Sequence, residues 1–466
     1  MPELTTKTPG ATSLPRRRTP PGPHGHLLLG SAPDMQRDRL GFLLRLTQQY
    51  GDVSLMRFLI WPAYLVNHPH DVKHVLQENH RNYNKDIFTY KVFHPFLGKG
   101  LLTNDGSSWL HQRRLIQPTF HRKNLATFGT LMTKTTVAML ERWQSKASRG
   151  ESLDVFNEMM RLTQRIVGQA LFSIDLDNET DSIGQAVTTL SELLSGYIYA
   201  PFPPLSVPTS RNRRIHAATR TLDNMVYSLI NERHRQAGDT NEEAVDLLSL
   251  LLSVRDEETG QGMNDKQVRD EVITLLVAGH ETTSNLLTWT WYLLSQHPEV
   301  EQRLHAEVEK VLGGQLPAME KLSELRYTHM VLEETLRLYP PAWIFSRKII
   351  ADDELGGYDI PKNSMILLSP YTTHRHPAFW EDPEEFDPER FTPERSAGRP
   401  HYAYFPFGGG PRMCIGSSFA IMEAQLVLAT IVQRYSLRLV PGHLVEPEAL
   451  VTLRPKHGLP MLLQDV

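Results

Sequence analysis

Apolar residues recur at steps of three and four over most of the chain, the spacing of a mainly helical protein. Helical periods run over 36–50, closed by Gly51, and over 70–79, 125–143, 155–172 and 183–199. Two short strands, 53–59 and 63–66, are predicted around Trp61-Pro62. Pro201-Phe202-Pro203-Pro204 interrupts the pattern before a polar-faced helix over 211–235, whose many basic residues read as a solvated face. Asn264 is placed to cap a helix that reaches His297 and stops at Pro298. Such a helix is roughly 50 Å long and crosses the molecule. Residues 81–107 keep no period and carry Phe88, Phe93 and Phe96, which predicts a long, partly apolar loop. A second meander is predicted over 363–406, and short strands from 437 onward.

Composition narrows the class. Length alone suggests about three domains, yet no linker, repeat or low-complexity tract divides the chain. The expectation is a disordered Pro/Thr/Arg-rich tail over 1–25 and one domain over 26–466. A net charge of −4 gives no footprint for nucleic acid. The N-terminal stretch has no apolar run, and Leu27-Leu28-Leu29 is too short to span a bilayer. No signal peptide or transmembrane anchor is expected, and a cytoplasmic location follows from that reading.

Chemistry concentrates at one loop, Phe407-Gly408-Gly409-Gly410-Pro411-Arg412-Met413-Cys414-Ile415-Gly416. Cys414 is the sole cysteine, so an internal disulfide or a multi-thiolate zinc site is excluded. Phe419, Met422, Leu426 and Ala429 mark a following helix, whose N-terminus favours a thiolate. The glycines let backbone approach something flat, Arg412 offers a fork for a carboxylate, and the N–H groups of Ile415, Gly416 and Ser417 are near the sulfur. Three readings fit these residues: an axial haem ligand, a buried structural cysteine, and a nucleophile paired with a distant histidine.

The pattern F-x-x-G-x-R-x-C-x-G resembles the haem-binding loop of the cytochrome P-450 superfamily. Four further motifs resemble it in the same order. Trp109 and Arg113 share a helix face. Alone they read as a core indole beside a solvated guanidinium; the resemblance implies haem propionate contacts, joined by Lys85 and Arg347. In Ala278-Gly279-His280-Glu281-Thr282-Thr283 the glycine weakens the helix and the Thr282 hydroxyl can bond back to Ala278. Glu281 and Thr282 supply the acid and alcohol of a short proton relay, or simply pack; the segment resembles the family's oxygen-activation motif. Glu334 and Arg337 read alone as a surface pair. With Arg390 in Pro388-Glu389-Arg390-Phe391, the resemblance implies a buried triad that braces the cysteine loop.

The resemblance implies a mainly α fold with small β-sheets, the helical haem sandwich of cytochromes P-450. It implies haem b held by Cys414 and flanked by Ala278, Phe407, Gly410, Arg412 and Gly416, with dioxygen as co-substrate. Glu281 and Thr282 would organise proton delivery. The implied reaction is monooxygenation, a hydroxylation or epoxidation, of a hydrophobic small molecule such as a terpenoid, fatty acid or polyketide. Phe88, Phe96, Leu194, Ile198, Leu275, Ala278, Trp343, Phe345 and Val451 are the expected pocket, with Lys91 or Lys99 available to a carboxylate. No flavin or iron–sulfur segment is legible. Electrons from NAD(P)H are therefore expected through a ferredoxin reductase and a ferredoxin, or a flavodoxin-type donor, at a basic patch of Arg114, Arg122 and Lys123. Two other readings are a haem-thiolate peroxygenase or isomerase that needs no donor, and a non-catalytic haem sensor or carrier.

Overall fold

The computed structural model describes residues 18–120, 122–173, 180–199, 203–236, 246–256 and 260–466. Val53–Phe58 (β1) and Trp61–Val66 (β2) form a hairpin, turning through Leu59 at φ 57°. Tyr83–Asn84 (β3), Phe345–Ile349 (β4) and Met365–Leu368 (β5) complete a five-stranded sheet of order β1-β2-β5-β4-β3. The β2–β5 pairing is parallel and the other three are antiparallel.

Helices make up most of the rest. Those that build the site are Gly106–Ile116 (α1), Val155–Phe172 (α2), Asp265–Gln296 (α3), Arg326–Leu338 (α4) and Ser417–Val432 (α5). The N-terminus of α3 is a full capping box: the Asn264 side chain accepts from Gln267 N–H, and Gln267 returns the bond. Helix α3 packs against α2, α4 and α5 and is buried along most of its length, hydroxyls included. Thr274, Thr288 and Thr290 are buried because each donates to the carbonyl four residues back. Trp291, Leu286, Leu336 and Leu426 pack together on one side of α3, and Phe96, Leu97, Val268 and Leu276 on another.

The mainly helical expectation holds, with four corrections. The ordered chain begins before residue 26: Arg18 N–H donates to Asp359 Oδ2, and Leu55 N–H to Pro21 O. Proline-rich composition hid these backbone bonds, and the first 17 residues lie outside those described. The single helix expected over 36–50 is two, Ala32–Arg37 and Arg39–Tyr50, because Asp38 leaves the helix and caps the second through Gly41 N–H. The loop over 81–107 contains β3 and the short helices Phe88–Lys91 and His94–Leu97. The meander over 363–406 opens with β5, an interior strand.

Candidate active site

The cysteine loop is shaped by backbone bonds. Gly410–Arg412 form a tight turn, and Cys414 N–H donates to Phe407 O at 2.9 Å. Gly410 sits at φ 61°, where a Cβ would lie 1.9 Å from Leu76 O, so no other side chain fits. Its N–H donates to Tyr402 Oη, which donates in turn to Gln77 Oε1. Gly410, expected beside the cofactor, meets Leu76 on the side where a Cβ would point, which braces the loop. The Cys414 thiol is exposed on the wall of a large internal cavity. Burial pushes the thiol pKa up, while the Gly416 N–H and Arg113 pull it down.

That cavity has a volume of about 1370 Å³. Helix α3 supplies Leu275, Ala278, Glu281 and Thr282 on one side, and the cysteine loop supplies Phe407, Cys414 and Gly416 on the other. Phe88, Phe96, Trp343, Phe345 and Val451 line it as expected, Phe88 from a half-exposed position. Thr282 Oγ1 donates to Ala278 O at 2.7 Å, the back-bond foreseen from sequence. Leu194 and Ile198, with Arg122 and Lys123, fall outside the residues whose side chains are described.

One end of the cavity is crowded with cations. Lys85, Arg113, Arg347 and Arg412 all line it. Lys85 Nζ donates to Leu102 O and Arg347 to Tyr90 Oη. Arg113 donates to Met413 O, tying α1 to the residue before the cysteine. Arg412 was expected to offer its fork to a ligand carboxylate, and Trp109 to join Arg113 in binding a propionate. Arg412 instead lies 3.7 Å over the Trp109 ring and pairs with Asp105, a carboxylate of the chain itself. Burial drives the Lys85 pKa well down, Arg347 and Arg412 add to this, and Asp105 opposes it. Burial likewise pushes Arg412 down to about 10. This is the donor set of a site built for added negative charge, and two carboxylates on a flat apolar molecule fit it. Lys85, Arg113 and Arg347 would hold haem propionates, with Arg412 adding its charge while it stays paired with Asp105, and Cys414 would be the ligand to the iron.

Glu281 and Thr282 are adjacent, yet their polar atoms are engaged separately: Glu281 Oε1 accepts from Thr452 Oγ1 at 2.6 Å. The triad assembles as expected. Arg337 donates twice to Glu334, at 2.6 and 2.7 Å, and Arg390 Nε lies 3.3 Å from the same carboxylate. All three are buried, and Arg337 also donates to the carbonyls of His374, Pro383 and Glu385. Sequence reading missed Asp105, which caps α1, accepts from Lys85 N–H and holds Arg412. Its one signal was its position immediately before the helix.

Comparison with known proteins agrees with this geometry. The family model described as Cytochrome P450 matches residues 20–459. Cyclooctatin synthase of Streptomyces melanosporofaciens is 37% identical, covering 92% of each chain. Cyclooctat-9-en-7-ol 5-monooxygenase of the same organism is 38% identical over 93% of this chain and 94% of its own. Pentalenene oxygenase of Streptomyces avermitilis is 36% identical over 91% and 93%. The crystal structure of the cytochrome P450DA heme domain superposes with a TM-score of 0.88 at 27% identity, covering 97% and 98%. Among the described residues no helix is long and apolar enough to cross a membrane. With a cysteine loop, the Glu281–Thr282 face of α3 and a cation cluster around one apolar cavity, this chain belongs to the cytochrome P450 family and is a monooxygenase of it.

Proposed function

We propose that this monooxygenase hydroxylates a neutral terpenoid skeleton. The observation that carries the reading is the cavity: about 1370 Å³, walled by Phe96, Leu275, Trp343, Phe345 and Val451, with Cys414 and Thr282 facing into it. Its rim offers little to a fatty-acid carboxylate, because Lys91 pairs with Asp86 at 2.7 Å and Lys348 reaches the same carboxylate at 3.3 Å. The named activities of the relatives, on cyclooctatin and pentalenene chemistry, support the same class.

Haem bound at this site supplies dioxygen activation. The chain's own residues do the rest. The Gly416 N–H and the Arg113 charge favour the anionic form of Cys414 Sγ against burial, which favours the thiol, so its ionisation would be completed on binding the iron. Lys85, Arg113 and Arg347 would hold the cofactor's carboxylates, and Arg412, paired with Asp105, would add positive charge beside them. Thr282 Oγ1 rests its proton on Ala278 O and turns to deliver it into the cavity. The aromatic and aliphatic walls exclude water and hold the substrate C–H in place.

Electrons come from a ferredoxin or flavodoxin-type carrier reduced from NAD(P)H. Arg114, exposed on α1 beside the Arg113 that bonds the cysteine loop, suits an acidic carrier. The protein works in the cytoplasm. The test is a spin-state titration of the haem-loaded protein with terpene hydrocarbons, fatty acids and macrolides, followed by turnover and mass analysis. Terpene hydrocarbons should shift the iron to high spin and gain one oxygen atom. A shift confined to fatty acids or macrolides overturns the terpenoid reading.

A further inference from the structure

The carboxyl of Glu281 is held by a turn far along the chain, between Pro447–Ala449 (β6) and Leu453–Pro455 (β7). Three struts of that turn lead toward the site. Trp343 Nε1 donates to Leu450 O at 3.0 Å, Leu453 N–H to Pro341 O at 3.0 Å, and Trp289 Nε1 on α3 to Leu453 O at 3.1 Å. Within this frame the Thr452 hydroxyl has a fixed direction. It accepts from Asn285 Nδ2 at 3.1 Å and donates to Glu281 Oε1 at 2.6 Å. The donor from Asn285 leaves the hydroxyl proton only the carboxylate to point at, and the short O···O distance is that of a charge-assisted bond. Asn285 is fully buried, and Glu281 and Thr452 are nearly so at the edge of the cavity, so few other donors compete for the carboxylate. Val451, the residue before Thr452, lines the cavity.

We infer that Thr452 is the positioning residue for Glu281, and that the turn carrying it ties the acid's orientation to the pocket wall at Val451. The inference rests on the monooxygenase reading of this site. Holding Glu281 toward Thr452 keeps its carboxyl in one orientation beside Thr282, rather than free to follow each change in the cavity. Without the hydroxyl, the carboxylate loses the donor that fixes the direction of its Oε1. Proton delivery then goes out of step with electron delivery, and reduced oxygen escapes as hydrogen peroxide.

The test uses haem-loaded, full-length protein carrying Thr452→Val, Thr452→Ser, Glu281→Gln or the Val and Gln changes together. Infrared difference spectra against Glu281→Gln, without substrate, isolate the Glu281 carboxylate band. The band should move in Thr452→Val and stay at its wild-type position in Thr452→Ser. During NAD(P)H-driven turnover with geranylgeraniol as the probe, Thr452→Val should release about threefold more hydrogen peroxide per NAD(P)H, with the spin-shift Kd changed less than about twofold. Thr452→Ser should restore coupling, and Thr452→Val should add nothing in the Glu281→Gln background. An unmoved carboxylate band in Thr452→Val, or an unchanged peroxide yield, overturns the inference. So does a peroxide increase of the same size with or without Glu281. If wild-type protein leaves geranylgeraniol unoxidised, that probe is not a substrate, and the infrared comparison alone decides on Thr452.

Discussion

Gly410 carries a requirement that its neighbours do not. A methyl group there meets Leu76 O at 1.9 Å from a backbone already at φ 61°. Gly410→Ala should therefore cost several kcal/mol, on the order of 2–4, by combining left-handed strain with a backbone clash. Chemical denaturation measures the cost, and the haem content on purification should fall with it. Unchanged stability would mean that the loop is free to shift. Glu271 gives a prediction in pH. Its side chain is buried on α3, accepts from Leu101 N–H at 2.9 Å, and is pushed up to about 8, chiefly by burial. The raised value means that the folded state keeps a proton that the unfolded chain releases. The stabilising contribution is complete below the ordinary glutamate pKa and is lost as pH rises toward about 8. Glu271→Gln should thus gain stability over wild type as urea titrations move from about pH 5 to about pH 8.5. Parallel curves for the two proteins would contradict the assignment. Cys414 and Thr282 were legible in the sequence because their motifs encode local backbone chemistry. Asp105 and Thr452 were not, since each acts on a residue about 170 or more positions away along the chain.

Among the elements, α3 and α5 show why periodicity is informative and incomplete. The spacing of Phe419, Met422, Leu426 and Ala429 predicted one apolar face on α5. Every residue from Met422 to Val432 is buried, because α5 is enclosed by several neighbours. The buried polar run of α3 is readable only through its hydroxyl back-bonds and the turn that meets it. The pairing of Glu334 with Arg337 on α4 looked like a surface pair by spacing, and only tertiary structure makes it a buried charge cluster. Glu334 Oε1 also accepts from Asp387 N–H at 3.0 Å, which ties α4 to the segment leading to the cysteine loop. Glu334→Ala leaves two guanidiniums buried without their anion and should cost about 3–5 kcal/mol. The urea midpoint should fall and haem should be lost more readily. A variant as stable as wild type would show that the surrounding carbonyls suffice to hold Arg337.

For the whole molecule, the mainly helical architecture was legible because amphipathic periods are long and the breakers are strong. The five-stranded sheet was not, since β2 and β5 are separated by some 300 residues and pair in parallel. The start of the ordered chain was misplaced for a similar reason: the bonds of Arg18 and Pro21 go to partners outside their own segment. What unites the molecule is one cavity with a thiol on its floor and four cations at its edge. The central claim is that the Cys414 thiolate binds the haem iron. Carbon monoxide added to the reduced, fully loaded wild-type protein tests it directly. The account predicts the strongly red-shifted absorption of thiolate-ligated haem, absent in Cys414→Ser; a spectrum of the histidine-ligated type from wild-type protein would contradict it.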